Sequence, residues 1–255
     1  MAGRSRIVAW ACLLAVLSWT ACQTSSSTTA LYTEPGPPRF EVSCPANSSC
    51  NASVALLVGL SAPVEPTRCT AALVGPRTAV TAGHCVSWER ANGESCGGVW
   101  LGFPGTEGRP PEWVACERIV MLSRSSDTLL SPDYAILQLH EGTARPWIPL
   151  GHGELGFGEV VEMVSVTADR FYDTRHQVMS RRCVVDRSDR LSPWSSAAPA
   201  SIRVLSSCPI RQGSSGAPLL DRHGRLRGLV HAGGPPFFAI GLMTLLPQPI
   251  ERDDG

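Results

Sequence analysis

The chain has 255 residues and no net charge, with 22 basic residues, all arginine, balancing 22 acidic ones. Only 17% of residues are charged, so nothing in the balance points to nucleic acid or to a strongly acidic partner. The length accommodates one large β domain or two small barrels with buried cores. The absence of lysine reads as a biased base composition of the gene rather than as a functional signal.

Arg4 and Arg6 precede an apolar run over 7–19 that is too short to span a bilayer comfortably, which is the pattern of an export signal over 1–21. Thr20 and Ala21 lead to Cys22, and a Ser/Thr-rich stretch over 23–29 follows. This arrangement resembles a bacterial lipoprotein signal, which implies a lipidated Cys22; Trp19 departs from the aliphatic residue usual at that place. Ordinary signal cleavage nearby, leaving Cys22 as a plain thiol, is the competing reading. Residues 22–43, closing on Pro35-Gly36-Pro37-Pro38, read as a flexible tether, and 44–255 as the folded domain.

From there short apolar runs alternate with Gly, Pro and Asp/Ser clusters, which predicts an all-β fold. Strands are expected at 54–60, 71–74, 78–81, 99–101, 118–122 and 134–139, the second and third turned by Gly75-Pro76. The second half should add strands at 159–166, 177–185, 201–205, 217–220, 226–230 and 239–245. Asp221-Arg222-His223-Gly224 carries the chemistry of a hairpin turn. Helical periodicity is nearly absent after the signal, and Pro247 and Pro249 disfavour a terminal helix.

Of ten cysteines, Cys12 lies in the signal and Cys22 at its end, so eight remain, an even number that suits disulfides in an exported chain. Eight cysteines allow 105 pairings, which spacing cannot resolve. A zinc site would compete for them, yet no CxxC or close His/Cys pair other than His84-Cys85 occurs, and no metal or other cofactor is expected.

Three fragments carry chemistry. Thr81-Ala82-Gly83-His84-Cys85 places an imidazole after an apolar strand, and Asp133 opens the alternating run Tyr134-Ala135-Ile136-Leu137-Gln138-Leu139. Gly213-Ser214-Ser215-Gly216-Ala217-Pro218 sets a serine between glycines, where the backbone can bend so that amides face a developing oxyanion. Each fragment alone has an ordinary explanation: a Gly-Ser-Ser-Gly loop, a solvated turn aspartate, a surface histidine such as His140, His152, His176 or His223. Their order, His then Asp then Ser, is one of the known orders of a hydrolytic triad. Asp127 is the rival to Asp133, but Thr-Leu-Leu follows it rather than an alternating run.

Over 53–247 these fragments resemble the chymotrypsin/trypsin-like serine endopeptidases. The resemblance implies two six-stranded antiparallel β-barrels, meeting near residue 147, with the site in the cleft between them. It implies Ser215 as nucleophile, His84 as general base and acid, Asp133 as the group orienting His84, and the amides of Gly213 and Ser215 as the oxyanion hole. It pairs Cys69 with Cys85 around the histidine and Cys183 with Cys208; by order, Cys44–Cys50 and Cys96–Cys116 would close the remaining loops. In activatable members an aspartate precedes the nucleophile; Ser214 stands there, which implies maturation without that switch. Pro209 stands where trypsin-like enzymes carry the aspartate that selects Arg or Lys.

The segment Gly228-Leu229-Val230-His231-Ala232-Gly233-Gly234 is similar to that of glutamyl endopeptidases, which implies an acidic P1 preference read by His231, with Gly233 lining the substrate strand. Ile210 departs from that branch's hydroxyl residue, Arg211 is a further candidate cation, and a packed His231 is the competing reading. A polypeptide is the expected substrate and the protein a monomer, meeting membrane only through a lipid anchor. A catalytically silent peptide-binding module is the alternative function. A serine esterase fits less well, because Ala217 breaks the Gly-x-Ser-x-Gly elbow.

Overall fold

The computed structural model describes residues 36–38, 42–44, 50–59, 67–86, 91–123, 131–153, 155–168, 176–186, 201–208, 210–234 and 237–244. The segment expected to be an export signal, Cys22, most of the expected tether, Asp127, Pro209, Pro247 and Pro249 lie outside them. Among the described residues no helix is long and apolar enough to cross a membrane.

Among the described residues thirteen strands form two sheets. In the first, β2 (Val54–Gly59), β3 (Thr67–Leu73), β4 (Thr78–Thr81), β5 (Val99–Phe103), β6 (Glu112–Ser123) and β7 (Tyr134–Leu139) close a barrel in the order β2-β3-β4-β7-β6-β5. Every residue of β2 is buried, which its unbroken apolar sequence anticipates. Ala55 and Leu57 point into the barrel with Leu73, Leu101 and Leu137. Val54, Leu56 and Val58 point outward, onto Val164, Val166 and Leu229 of the second sheet. Successive strand residues face opposite sides, so a strand covered on both must be apolar throughout.

The second sheet contains β8 (Val160–Ala168), β9 (His176–Asp186), β10 (Ile202–Ser206), β11 (Pro218–Leu220), β12 (Leu226–Gly234) and β13 (Phe237–Thr244). Their order is β9-β10-β13-β12-β11-β8, and β8 also pairs with β9, so the sheet curls back on itself as the two-barrel expectation requires. Met163, Val185, Leu205 and Leu219 fill its interior. β1 (Val42–Ser43) adds parallel to β9, with Val42 opposite His176 and Ser43 opposite Gln177. This short strand lies at the end of the segment expected to be a tether, and Val42 is buried in the cluster between the sheets.

The hairpin turn falls at Asp221–Gly224 as expected. Asp221 Oδ1 accepts the N–H groups of His223 and Arg225, and Gly224 takes φ +71°. Burial pushes the Asp221 carboxyl up, but those two amides and the nearby Arg227 outweigh it and hold the group below its ordinary value.

Candidate functional site

Strand pairing brings the histidine and the aspartate together. β4 pairs with β7 so that Thr81 faces Ala135. The chain leaving β4 makes a single 3-10 turn, Gly83–Cys85, and Asp133 immediately precedes β7. The two side chains therefore meet at one end of the barrel. His84 Nδ1–H donates to Asp133 Oδ2 at 2.5 Å, and the His84 backbone N–H donates to Asp133 Oδ1 at 2.9 Å. Both carboxylate oxygens are spent on one residue. A ring held this way keeps its proton on Nδ1 and presents Nε2 as an acceptor. The imidazole is 32% exposed while the carboxylate is only 12% exposed, so Nε2 can be approached and the aspartate is screened. Gly83 permits this closeness: a Cβ there would sit 2.6 Å from Ser123 O and 2.7 Å from Asp133 Oδ1.

Ser215 lies in the segment between β10 and β11. Its carbonyl accepts the Thr70 N–H of β3 at 2.7 Å, stitching the serine loop of the second sheet to the first barrel. Gly216 N–H donates to Val230 O, Ala217 N–H to Ser214 O and Ser214 N–H to Arg211 O, so the loop is closely tied on both sides. Ser214, fully buried, accepts the Arg211 N–H through Oγ at 3.1 Å. That bond within the loop stands where activatable relatives would use an aspartate. Among the described residues no backbone carbonyl accepts the N–H of Gly213 or Ser215, and Gly213 has φ +94°.

His231 is 5% exposed on β12, and its Nδ1 lies 2.8 Å from the Thr244 hydroxyl. Thr244 Oγ1, fully buried, also accepts the Asp133 backbone N–H at 3.2 Å. The predicted specificity residue is thus joined through Thr244 to the backbone of the predicted triad aspartate. Gly233 pairs with Gly241 across the β12–β13 ladder. Arg211 is exposed and Ile210 half-buried. Two hydroxyl residues central to these contacts, Thr70 and Thr244, carry no motif; the signal that could have found them is a polar side chain inside an apolar strand, where a buried hydroxyl must find partners.

The two disulfides implied by the resemblance, Cys69–Cys85 and Cys183–Cys208, are present, and so are the two suggested by order alone, Cys44–Cys50 and Cys96–Cys116. Sulfurs of Cys69 and Cys85 and a ring nitrogen of His84 lie within 4.8 Å of one another, but the sulfurs are bonded to each other, so this grouping offers a metal no thiolates. Cys69–Cys85 closes a 16-residue span from β3 to the histidine turn, a loop for which the cross-link should contribute about 3 kcal/mol. Replacing both cysteines by alanine should lower the unfolding free energy by that amount in denaturant titration. An unchanged midpoint would show that the turn is held without it.

A cavity of about 710 Å³ opens elsewhere, beside β8 and the β11–β12 turn, lined by Glu162, Arg182, Asp221 and Arg227 among others. None of the predicted site residues lines it. The groups capable of proton transfer that the structure brings into contact are instead His84 and Asp133.

The first β unit thus carries the paired His84 and Asp133, and the second carries the glycine-flanked Ser215. The profile of the trypsin-like peptidase domain matches residues 69–229, more than half of the chain, and the chain belongs to that family. No curated protein sequence matches it. Among solved structures, HL collagenase is similar with a TM-score of 0.62 at 18% identity, over 78% of this chain and 92% of that one. Neuropsin, a serine protease expressed in the limbic system of mouse brain, gives 0.56 at 14% identity, over 76% and 89%. A scabies mite inactivated protease paralogue gives 0.57 at 12%, over 76% and 87%. Identities this low establish the fold, and the family match makes the protein a serine endopeptidase by class, with polypeptide as substrate.

Proposed function

We propose that the protein is an exported serine endopeptidase that works through Ser215, His84 and Asp133. The observation that carries this reading is the doubly bonded His84–Asp133 pair. A carboxylate that takes both Nδ1–H and the backbone N–H fixes the tautomer and orientation a general base requires, and stabilises the imidazolium that forms. In this reaction Ser215 Oγ attacks the scissile carbonyl carbon while Nε2 of His84 takes the hydroxyl proton. The tetrahedral oxyanion is met by the amides of Gly213 and Ser215, where one donor is worth about 2.7–4 kcal/mol. The C–N bond then breaks, the amine leaves with the proton returned by His84, and water hydrolyses the acyl-enzyme by the same steps. A silent peptide-binding module would need neither this pairing nor the unengaged loop amides.

The four disulfides fit an extracytoplasmic protein. Export through the 1–21 signal, lipidation at Cys22, tethering by 22–43 and a monomeric state complete the reading.

For specificity we propose an acidic P1 residue met by His231, supported by its place on β12 and by Pro209 in place of an anion. The Thr244 contact favours a second reading, in which the His231 ring backs the Asp133 segment. Peptide-library cleavage by the purified protein, with Ser215→Ala as control, tests both. His231→Ala should lower kcat/KM for Glu and Asp at P1 by about 10- to 100-fold, the value of one charge-assisted hydrogen bond, and leave small apolar P1 residues nearly unaffected. Equal losses on both classes would assign His231 to the Asp133 scaffold and replace acidic P1 by small or apolar P1.

A further inference from the structure

Thr70 spends every polar atom it has, and two of them hold the loop that carries Ser215. It is fully buried on β3. Its N–H donates to Ser215 O at 2.7 Å, and its hydroxyl donates to Gly213 O at 2.6 Å. That hydroxyl accepts the Val166 N–H of β8 at 2.9 Å, and the Thr70 carbonyl accepts the Thr81 hydroxyl at 2.8 Å. One residue of the first barrel thus clamps the 213–214 and 215–216 peptide planes of the serine loop.

The plane between them needs no clamp of its own, because Ser214 O already accepts the Ala217 N–H. The 213–214 plane is held within the loop by the Ser214 N–H bond to Arg211 O, and Thr70 ties it to the first barrel. Gly213, at φ +94°, has no Cβ to restrict its rotation. Among the described residues its carbonyl accepts one hydrogen bond, from the Thr70 hydroxyl. Losing that hold would let Gly213, whose N–H is one of the two amides assigned to the oxyanion, shift against the first barrel.

We infer that Thr70 is a positioning residue for the oxyanion hole, its hydroxyl and N–H fixing the Gly213 and Ser215 carbonyls on the first barrel, so that the two residues bearing the oxyanion amides keep their place against it. This rests on the proposed triad. Its effect falls on the transition state, where the oxyanion exists, and hardly on the bound substrate, whose carbonyl carries little charge. The device belongs to the side chain: a glycine or alanine on β3 would keep the Thr70 N–H bond to Ser215 and lose the hold on Gly213.

The test compares wild type, Thr70→Ala and Thr70→Ser in the full protein, each checked by thermal melting. Alanine removes the hydroxyl without pressing a methyl group on the Gly213 carbonyl; serine restores it. Readouts are kcat and KM on a peptide substrate, and inhibition by a peptide aldehyde, whose hemiacetal with Ser215 would place an oxygen in the hole. Thr70→Ala should lose about 10- to 100-fold in kcat with KM changed less than about threefold, and aldehyde inhibition should weaken in parallel. Thr70→Ser should recover both to within about threefold of wild type.

Folded Thr70→Ala with wild-type kcat and aldehyde affinity overturns the assignment. So does a loss confined to KM, or a Thr70→Ser protein as impaired as the alanine variant. If Thr70→Ala does not fold, Thr70→Cys replaces it: its thiol fills the space and donates only weakly, so an intermediate loss of kcat is expected and undiminished kcat overturns the proposal. A wild type that neither cleaves peptide nor binds aldehyde overturns the triad reading, and this inference with it. Intact wild-type catalysis beside an unaffected alanine variant removes Thr70 alone.

Discussion

Ser215→Ala and His84→Ala should each abolish peptide hydrolysis, lowering kcat by about 10⁴- to 10⁶-fold, and the double variant should be no worse than the more damaging single one. Non-additivity is expected because a hydroxyl without its base and a base without its hydroxyl are equally unable to form the acyl-enzyme. Neither change should cost much stability. His84 has its imidazole 32% exposed, and the loop around Ser215 is tied by backbone groups that alanine retains. Melting midpoints within a few degrees of wild type are therefore expected, and undiminished hydrolysis by either purified variant would remove the residue from the mechanism. Asp133→Asn should lose about 10⁴-fold for a different reason. Asparagine Oδ1 can still accept the His84 backbone N–H, which leaves its NH₂ group facing Nδ1, where it would favour the wrong tautomer.

Gly216→Ala is expected to be the most damaging single-methyl change at the site. The glycine has φ +78°, and an added Cβ would collide with Thr70 O and Thr81 Oγ1 and approach Ala82 N at 2.9 Å. Two of these atoms are backbone and the third is a fully buried hydroxyl bonded to Thr70 O, so no flexible side chain can yield. Left-handed backbone costs a non-glycine residue about 1–2 kcal/mol, and forcing a methyl into packed surroundings adds about 1–3 kcal/mol. The alternative to absorbing that strain is for the serine loop to lift off β3 and β4, which would carry Ser215 away from His84. The expected result is a melting midpoint lower by roughly 5–15 °C and kcat/KM reduced more than about 100-fold. A Gly216→Ala protein with wild-type melting and activity would mean that the loop does not pack on the first barrel as described.

These two predictions draw on parts of the site that the sequence disclosed unequally. Asp133 stands out as a candidate because it opens an alternating run, and that run is strand β7, which faces the barrel on one side as its alternation implies. Ser215 and His84 stand out as candidates because small residues must surround a sharp turn, and Gly83 and Gly216 are both in tight contact. Thr70 and Thr244 carry no such mark. A single hydroxyl in an apolar strand reads as a strand residue, and its partners, Gly213 and Asp133, lie far along the chain. β1 was hidden for a similar reason. Two residues have no periodicity, and their strand character comes from pairing with β9. β6 runs 12 residues where five were expected, because its bulges near Cys116 and Ile119 shift the inward and outward positions and erase the alternation. β3 begins at Thr67, before its expected start, since Thr67 and Arg68 gain strand structure only opposite Gly59 and Val58.

We propose Ser215, activated by the His84–Asp133 pair, as the nucleophile of this serine endopeptidase. The most direct measurement is labelling of the purified protein with a fluorophosphonate, followed by intact-mass and peptide mapping. One adduct per chain is expected, on the peptide containing Ser215, absent in Ser215→Ala and slowed by orders of magnitude in His84→Ala. A folded protein that takes no label, or takes it on another serine at an undiminished rate in His84→Ala, would contradict it.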